Sequence, residues 1–172
     1  MSRMTGADYR RMLALLRRTP RREAAAKALC RFLPAIPFVS YGASALMLLS
    51  RRDRALLPFV GIPAAGFLFV TAVRAWINAP RPYDDWHDYA PLLPVRRGKG
   101  KSFPSRHTAS AFIIAFACLW LHPLFGAAML LAAVLIGASR VLAGLHYPRD
   151  VLAAAAVSCA FGALFLLFDR VS

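Results

Sequence analysis

The chain has 172 residues, 59% of them hydrophobic, yet it carries 22 Lys and Arg against 8 Asp and Glu, a formal charge of +14. That length suits one domain, but a water-soluble domain averages nearer half apolar, which argues against a soluble fold and makes lipid the first solvent to consider. Nucleic acid is excluded as a partner, because its footprint needs a basic face on a soluble fold. Here the cations crowd into 1–31, 51–54 and 96–106, while 55–73, 108–139 and 151–168 contain no Asp, Glu, Lys or Arg.

Charge held between apolar runs is the pattern of a multi-span membrane protein. Arg3, Arg10, Arg11, Arg17 and Arg18 interrupt any apolar core at the start, so no secretory signal is expected. Residues 7–18 place Tyr9, Met12, Leu13 and Leu16 on one helical face, ringed by arginines, as in a helix lying in the headgroup region. Pro20 ends that helix, and Arg21 to Leu29 can form a second helical stretch leading into the bilayer. The organisation expected is a basic amphipathic helix over 1–28 and a membrane domain over 29–172.

Spans are expected at about 32–50, where Pro34 and Pro37 are tolerated near a helix end, and at about 55–77. The uncharged run 108–139 would be ~48 Å long as one helix, too long for a core of ~30 Å. His122-Pro123 reads as a hairpin turn between spans at 107–121 and 123–143. A last span opens at Pro148, a favourable first-turn residue, and ends near Phe168. The fold class is therefore all-α, an integral membrane bundle of about five transmembrane helices plus the amphipathic interfacial helix. Cys30, Cys118 and Cys159 lie singly in apolar segments, which suits packing and not a disulfide or metal site.

Three polar clusters interrupt the apolar chain, each at the end of a span: Arg74, Asn78, Arg81 and Pro82; Ser102, Pro104, Ser105, Arg106 and His107; and Ser139, Arg140, His146 and Asp150. Alternating span direction brings all three to one membrane face, where they can converge. Arg74, Arg81 and Arg140 supply guanidinium forks that match phosphate oxygens two at a time. The Pro-Ser-Arg-His segment opens a helix, whose free N–H groups and dipole favour an anion, and Ser105 can add a hydroxyl donor. His146 and Asp150 stand at i and i+4, so the carboxylate can hold one ring nitrogen and orient the other outward, giving an activated nucleophile or base. His107 could protonate a leaving oxygen. Asp84, Asp85 and Asp88 have a spacing that fits no standard cation loop, so metal-independent chemistry without a cofactor is expected.

Arg74-x6-Arg81-Pro82, Pro104-Ser105-Arg106-His107 and Ser139-Arg140-x5-His146-x3-Asp150 together resemble the three-part signature of the type 2 phosphatidate phosphatase superfamily of membrane lipid phosphate phosphatases. The resemblance implies that His146 forms a phosphohistidine, that Asp150 activates it and that His107 is the general acid. It also implies that Arg74, Arg81, Ser105 and Arg140 hold the phosphate. Two positions depart from the pattern: Arg74 stands where Lys is usual, and Arg106, a further candidate phosphate ligand, stands where Gly is usual.

A site at a span end can take a phosphate whose tail stays in lipid. Undecaprenyl diphosphate or another polyprenyl diphosphate, phosphatidylglycerophosphate and phosphatidate all qualify as substrates. The alternatives are a lipid phosphotransferase using the same phosphohistidine and a non-catalytic lipid-binding membrane protein, the latter with no need of a His146–Asp150 pair. His87 and His122 read as structural. Trp76, Trp86, Tyr83 and Tyr89 read as an interfacial aromatic belt, and Arg96, Arg97, Lys99 and Lys101 as a solvated loop beside the site. Nine Lys and Arg lie in 1–31 against three in 51–54, which would make the site face cytoplasmic. The family resemblance implies the outer face of a bacterial plasma membrane instead, and that face is the one expected.

Overall fold

Among the residues described by the structure, a computed structural model covering 4–168, eight α-helices and a closing 3-10 turn form. Residues 1–3 and 169–172, the outer ends of the two expected segments 1–28 and 29–172, lie outside the described residues. Most helices begin where local chemistry favours it. Thr5 caps α1 (Gly6–Leu16) through a reciprocal box with Asp8, and Thr19 caps α2 (Pro20–Phe32), with Pro20 in the first turn where its missing N–H costs nothing. After Leu33 and Pro34 the chain continues as α3 (Ala35–Ser50), turns at 51–55 and returns as α4 (Leu56–Ile77). Asn78, in the left-handed region at φ 44°, stops α4. A short α5 (Pro82–Asp85) and an irregular stretch lead to α6 (Arg106–Leu121), α7 (Pro123–Leu142) and α8 (Pro148–Ala163), and the 3-10 turn Leu164–Leu167 follows.

The chain is an all-α integral membrane bundle. Four helical stretches are long and apolar enough to cross a bilayer: Pro20–Ser50, Leu56–Asp85, Pro123–Leu142 and Pro148–Leu167. Their outward faces carry bare apolar side chains, such as Val39 at 71% exposure, Leu57 at 78% and Leu131 at 63%, which only lipid or another apolar partner would cover. The first stretch starts earlier than the expected 32, since only Leu33 and Pro34 separate α2 from α3 and a proline in a helix's first turn does not break it. The remaining helix, α6, is shorter at 16 residues. It packs against α7, α8, α4 and α3, so its neighbours and not lipid surround most of it. Phe59, Ala115, Cys118, Ala133 and Ile136 form the core around it.

The N-terminal helix faces inward. The expected headgroup-facing stripe of α1 is buried in protein instead, with Tyr9 at 0% and Leu13 at 1% exposure. Both join Tyr83, Tyr89, Leu92, Ala143, Leu145 and Tyr147 in a second core at the end of the bundle. Arg17 donates to the carbonyls of Ala90 and Pro91, and Arg10 pairs with Asp88 at 2.9 Å, so cations that read as headgroup contacts tie α1 to the 86–94 segment. Tyr83 and Tyr89 accordingly leave the expected aromatic belt, whereas Trp76, 85% exposed, keeps the outward position such a belt requires. Arg97 is not a freely solvated cation. It donates to the carbonyls of Tyr83 and Tyr89 and lies 3.0 Å from His87 Nδ1.

Candidate active site

All three polar clusters meet at the end of the bundle where α1 lies. The last turn of α4 delivers Arg74, the last turn of α7 delivers Arg140, and the first turn of α6 delivers Arg106 and His107. The five-residue connection Ala143–Tyr147 between α7 and α8 carries His146. Around them lies a cavity of about 170 Å³, lined by Arg74, Arg81, Arg106, His107, Arg140 and His146, with Leu93, Pro94, Val95 and Leu145 as its apolar wall. Four permanent cations thus share one small space with two imidazoles.

Behind the cavity stands a buried triad. His146 is 2% exposed and Asp150 fully enclosed, with His146 Nδ1 at 3.5 Å from Asp150 Oδ2. Asp150 occupies the third position of α8, where its carboxylate also accepts the Tyr147 backbone N–H at 3.0 Å, so helix capping and imidazole orientation use the same oxygen. The third member is Ser102, fully buried. Its hydroxyl donates to Asp150 Oδ2 at 2.5 Å and lies 3.3 Å from His146 Nδ1. The sequence places Ser102 in the second cluster but assigns it no partner, because Asp150 is 48 residues away. With Nδ1 turned to this pair, Nε2 is the ring nitrogen left for the cavity. Burial, the largest influence, holds the His146 imidazole below its ordinary pKa; Asp150 opposes this, while Arg81 and Arg74 add to it.

Three of the four arginines are fixed by backbone carbonyls. Arg74 is 7% exposed and donates to Ser102 O at 3.3 Å and Pro104 O at 2.5 Å, so it braces the segment that opens α6. Arg81 Nε donates to Gly100 O at 3.2 Å. Arg140 donates to Cys30 O at 2.7 Å, and its buried Nε has no hydrogen-bond partner among the described residues. Arg106 lies over the Phe67 ring at 5.8 Å, an arrangement that no glycine could make.

Ser105 is the one expected ligand that the structure does not bring to the cavity wall. Fully buried, it accepts a hydrogen bond from Thr108 Oγ1 at 3.0 Å, and its N–H donates to Asp150 O at 2.9 Å. It caps α6 by position, but its hydroxyl accepts from the Thr108 side chain and not from a backbone N–H of the helix, so the first-turn N–H groups beside the cavity are left open to an anion. His122 sits at the other end of the bundle, on the α6–α7 turn. Among the described residues, no three His, Cys, Asp or Glu side chains form a group that could hold a metal ion.

Four arginines, two histidines and a buried carboxylate thus gather at one end of a membrane bundle. The chain belongs to the PAP2 superfamily, which matches residues 55–171 and so includes every candidate site residue. It is 37% identical over 109 residues to a lipid A 1-phosphatase of Rhizobium johnstonii, covering 60% of this chain and 42% of that protein. It is also 37% identical over 119 residues to the undecaprenyl-diphosphatase BcrC of Bacillus subtilis, covering 69% of this chain and 60% of the relative. The chain thus spans about half the length of these curated relatives. In shape it resembles Aquifex aeolicus LpxE, with a TM-score of 0.70 at 24% identity over 96% of this chain and 100% of the other. A PAP2-type phosphatidylglycerolphosphate phosphatase from Bacillus subtilis gives a TM-score of 0.67 at 24% identity, over 96% of this chain and 88% of the other. These two likenesses show the fold.

Proposed function

We propose that this protein is a metal-independent lipid phosphate phosphatase that works through a phosphohistidine on His146. The observation that carries the reading is the buried His146–Asp150–Ser102 triad opening onto a cavity with four arginines. Nε2 of His146 attacks phosphorus while the bond to the lipid oxygen breaks, and His107 gives that oxygen a proton. Asp150 and Ser102 stabilise the imidazolium that forms. Arg74, Arg81, Arg106 and Arg140 offset the charge spread over the phosphoryl oxygens in the transition state. Water, losing its proton to His107, then attacks the phosphohistidine, inorganic phosphate leaves and His146 returns to its starting state. Ser105 contributes from behind, its N–H and hydroxyl holding the start of α6 in place.

The cavity, about 170 Å³, falls below the roughly 300–1,000 Å³ of sites that enclose a whole small molecule. That size suits a phosphoryl group whose lipid tail stays in the bilayer. The substrate class is a polyprenyl diphosphate such as undecaprenyl diphosphate or a glycerolipid phosphate such as phosphatidylglycerophosphate or phosphatidate, and the names of the relatives support that class. Phosphate release from a panel of these lipids, with and without EDTA, tests the proposal. Release that EDTA leaves intact and His146→Ala abolishes is expected; full release by His146→Ala, or its loss in EDTA, would refute the mechanism.

We further propose that the site opens on the outer face of the plasma membrane. The charge count that favours the cytoplasmic face includes Arg10 and Arg17, which bind Asp88 and the 90–91 carbonyls, and these contacts weaken their value as a topology signal. A reporter fused after Ser172 should read cytoplasmic, and a periplasmic reading would reverse this assignment.

A further inference from the structure

The phosphoryl-transfer scheme leaves a buried aromatic group unused. Tyr9, Tyr89 and Tyr147, none more than 6% exposed, gather behind the connection that carries His146. Tyr9 and Tyr89 stack at 5.3 Å with ring planes 12° apart, and Tyr147 meets Tyr9 edge-on at 6.1 Å. The connection needs outside support. Its turn relies on Gly144 at φ +70°, and a Cβ there would lie 2.9 Å from the Tyr89 ring. Such support arrives on three of its carbonyls: Leu92 N–H donates to Ala143 O at 3.0 Å, Tyr89 OH to Gly144 O at 3.0 Å, and Tyr9 OH to His146 O at 3.1 Å.

Packing alone would ask only that each buried hydroxyl find some acceptor. Here both find carbonyls within the same three residues, and one of those is the carbonyl of His146 itself. The donors belong to α1 and to the 86–105 segment, and Tyr9 lies outside the 55–171 stretch that matches the superfamily. We infer that Tyr9 and Tyr89 are positioning residues, a stacked pair that grips the carbonyls of Gly144 and His146 and so sets the angle of the His146 ring against Asp150, Ser102 and the cavity. The inference rests on His146 being the nucleophile. The contacts of its Nδ1, at 3.3 and 3.5 Å, are already long, so a small slackening of the connection loses them. Burial pushes both phenols well above their ordinary pKa, so they remain donors at alkaline pH.

A slack connection would also let water reach the imidazole. The ring faces Arg74 from α4, Arg81 and Ser102 from the connecting segments, Arg106 and His107 from α6, Arg140 from α7 and Asp150 from α8. With those charges unchanged and burial relaxed, the His146 pKa rises toward the ordinary imidazole value. The acid limb of kcat then moves to higher pH.

The test uses the full chain in lipid nanodiscs, with the lipid phosphate from the panel above that is hydrolysed fastest. Tyr9→Phe and Tyr89→Phe keep the rings and remove the hydroxyls. Each should lower kcat by about 3- to 30-fold, the range expected for loss of one hydrogen bond, leave KM within about twofold and move the acid limb up. Met129→Ala, in the core toward the His122 end of α7, provides a destabilised control whose acid limb should stay in place. Wild-type kcat in both tyrosine variants would overturn the inference. So would a fall that merely follows the folded fraction with an unmoved pH profile. If Tyr9→Phe does not fold, Tyr89→Phe alone decides by the same criteria. Activity surviving in His146→Ala would instead overturn the nucleophile assignment beneath it, so the two failures are told apart.

Discussion

The two ends of α7 each carry a histidine beside a proline-started helix, and they could hardly differ more. At one end His122 joins α6 to α7, is exposed, and accepts a 3.4 Å contact from the Phe125 N–H, so it caps the helix that follows. There Gly126 lets the two helices close, for a Cβ on it would stand 2.0 Å from Leu119 Cα. At the other end His146 is buried, backed by a carboxylate and a hydroxyl, and held by tyrosines from two other parts of the chain. Local sequence separates the two turns only by the carboxylate, Asp150, that stands four residues after His146 and has no counterpart after His122. Their difference lies in what packs on each, and it teaches that a histidine's chemistry is conferred by its surroundings.

The comparison breaks first on His146→Ala, which should lower phosphate release on the order of 10⁴-fold or more by removing the nucleophile. Asp150→Asn keeps the shape of the triad but removes the charge that stabilises the imidazolium. A loss of about 10²- to 10⁴-fold in kcat is expected, with folding checked by melting. Ser102→Ala should cost about 10- to 100-fold, because a hydrogen bond to a charged group contributes about 1.5–3 kcal/mol. At the opposite end, Gly126→Ala should destabilise the fold by about 1–3 kcal/mol while the kcat of the folded fraction stays unchanged. His122→Ala should cost about 1 kcal/mol or less and leave kinetics alone. An activity loss in either end-turn variant would mean that the two ends are coupled.

pH sharpens the same contrast. Because burial holds folded His146 below the ordinary imidazole pKa of about 6.5, its neutral, nucleophilic form persists as pH falls through that value. Activity should therefore outlast the range in which an exposed histidine protonates. The unfolded chain takes up the proton that the folded chain refuses, so stability declines as pH drops below about 6.5. Melting of His146→Ala should lack that part of the decline.

The helices were legible in the sequence because hydropathy is a local property. The expected 55–77 and 123–143 are observed as Leu56–Ile77 and Pro123–Leu142, with the turn at His122. Convergence of the three clusters was legible too, since alternating spans leave one choice of face. Direction within an element was not. Tyr9 and Tyr89 have the amphipathic chemistry of interface residues, and what draws them inward is each other's ring and two carbonyls far along the chain. Nothing near Ser102 announces a carboxylate 48 residues away. Ser105 is legible as a hydroxyl beside the other clusters, but its full burial, with Thr108 Oγ1 donating to it, follows from packing that local sequence does not carry.

α6 has a consequence for how the protein is made. With Arg106 at its start and 16 residues in length, it falls just short of the roughly 17–25 residues of a helix that spans a bilayer by itself. Only His122 separates it from α7, which is long and apolar enough to cross unaided. Membrane integration therefore favours the two as a preformed pair, α7 carrying α6 with it, and the helix that presents His107 to the cavity is escorted into the bilayer by its neighbour.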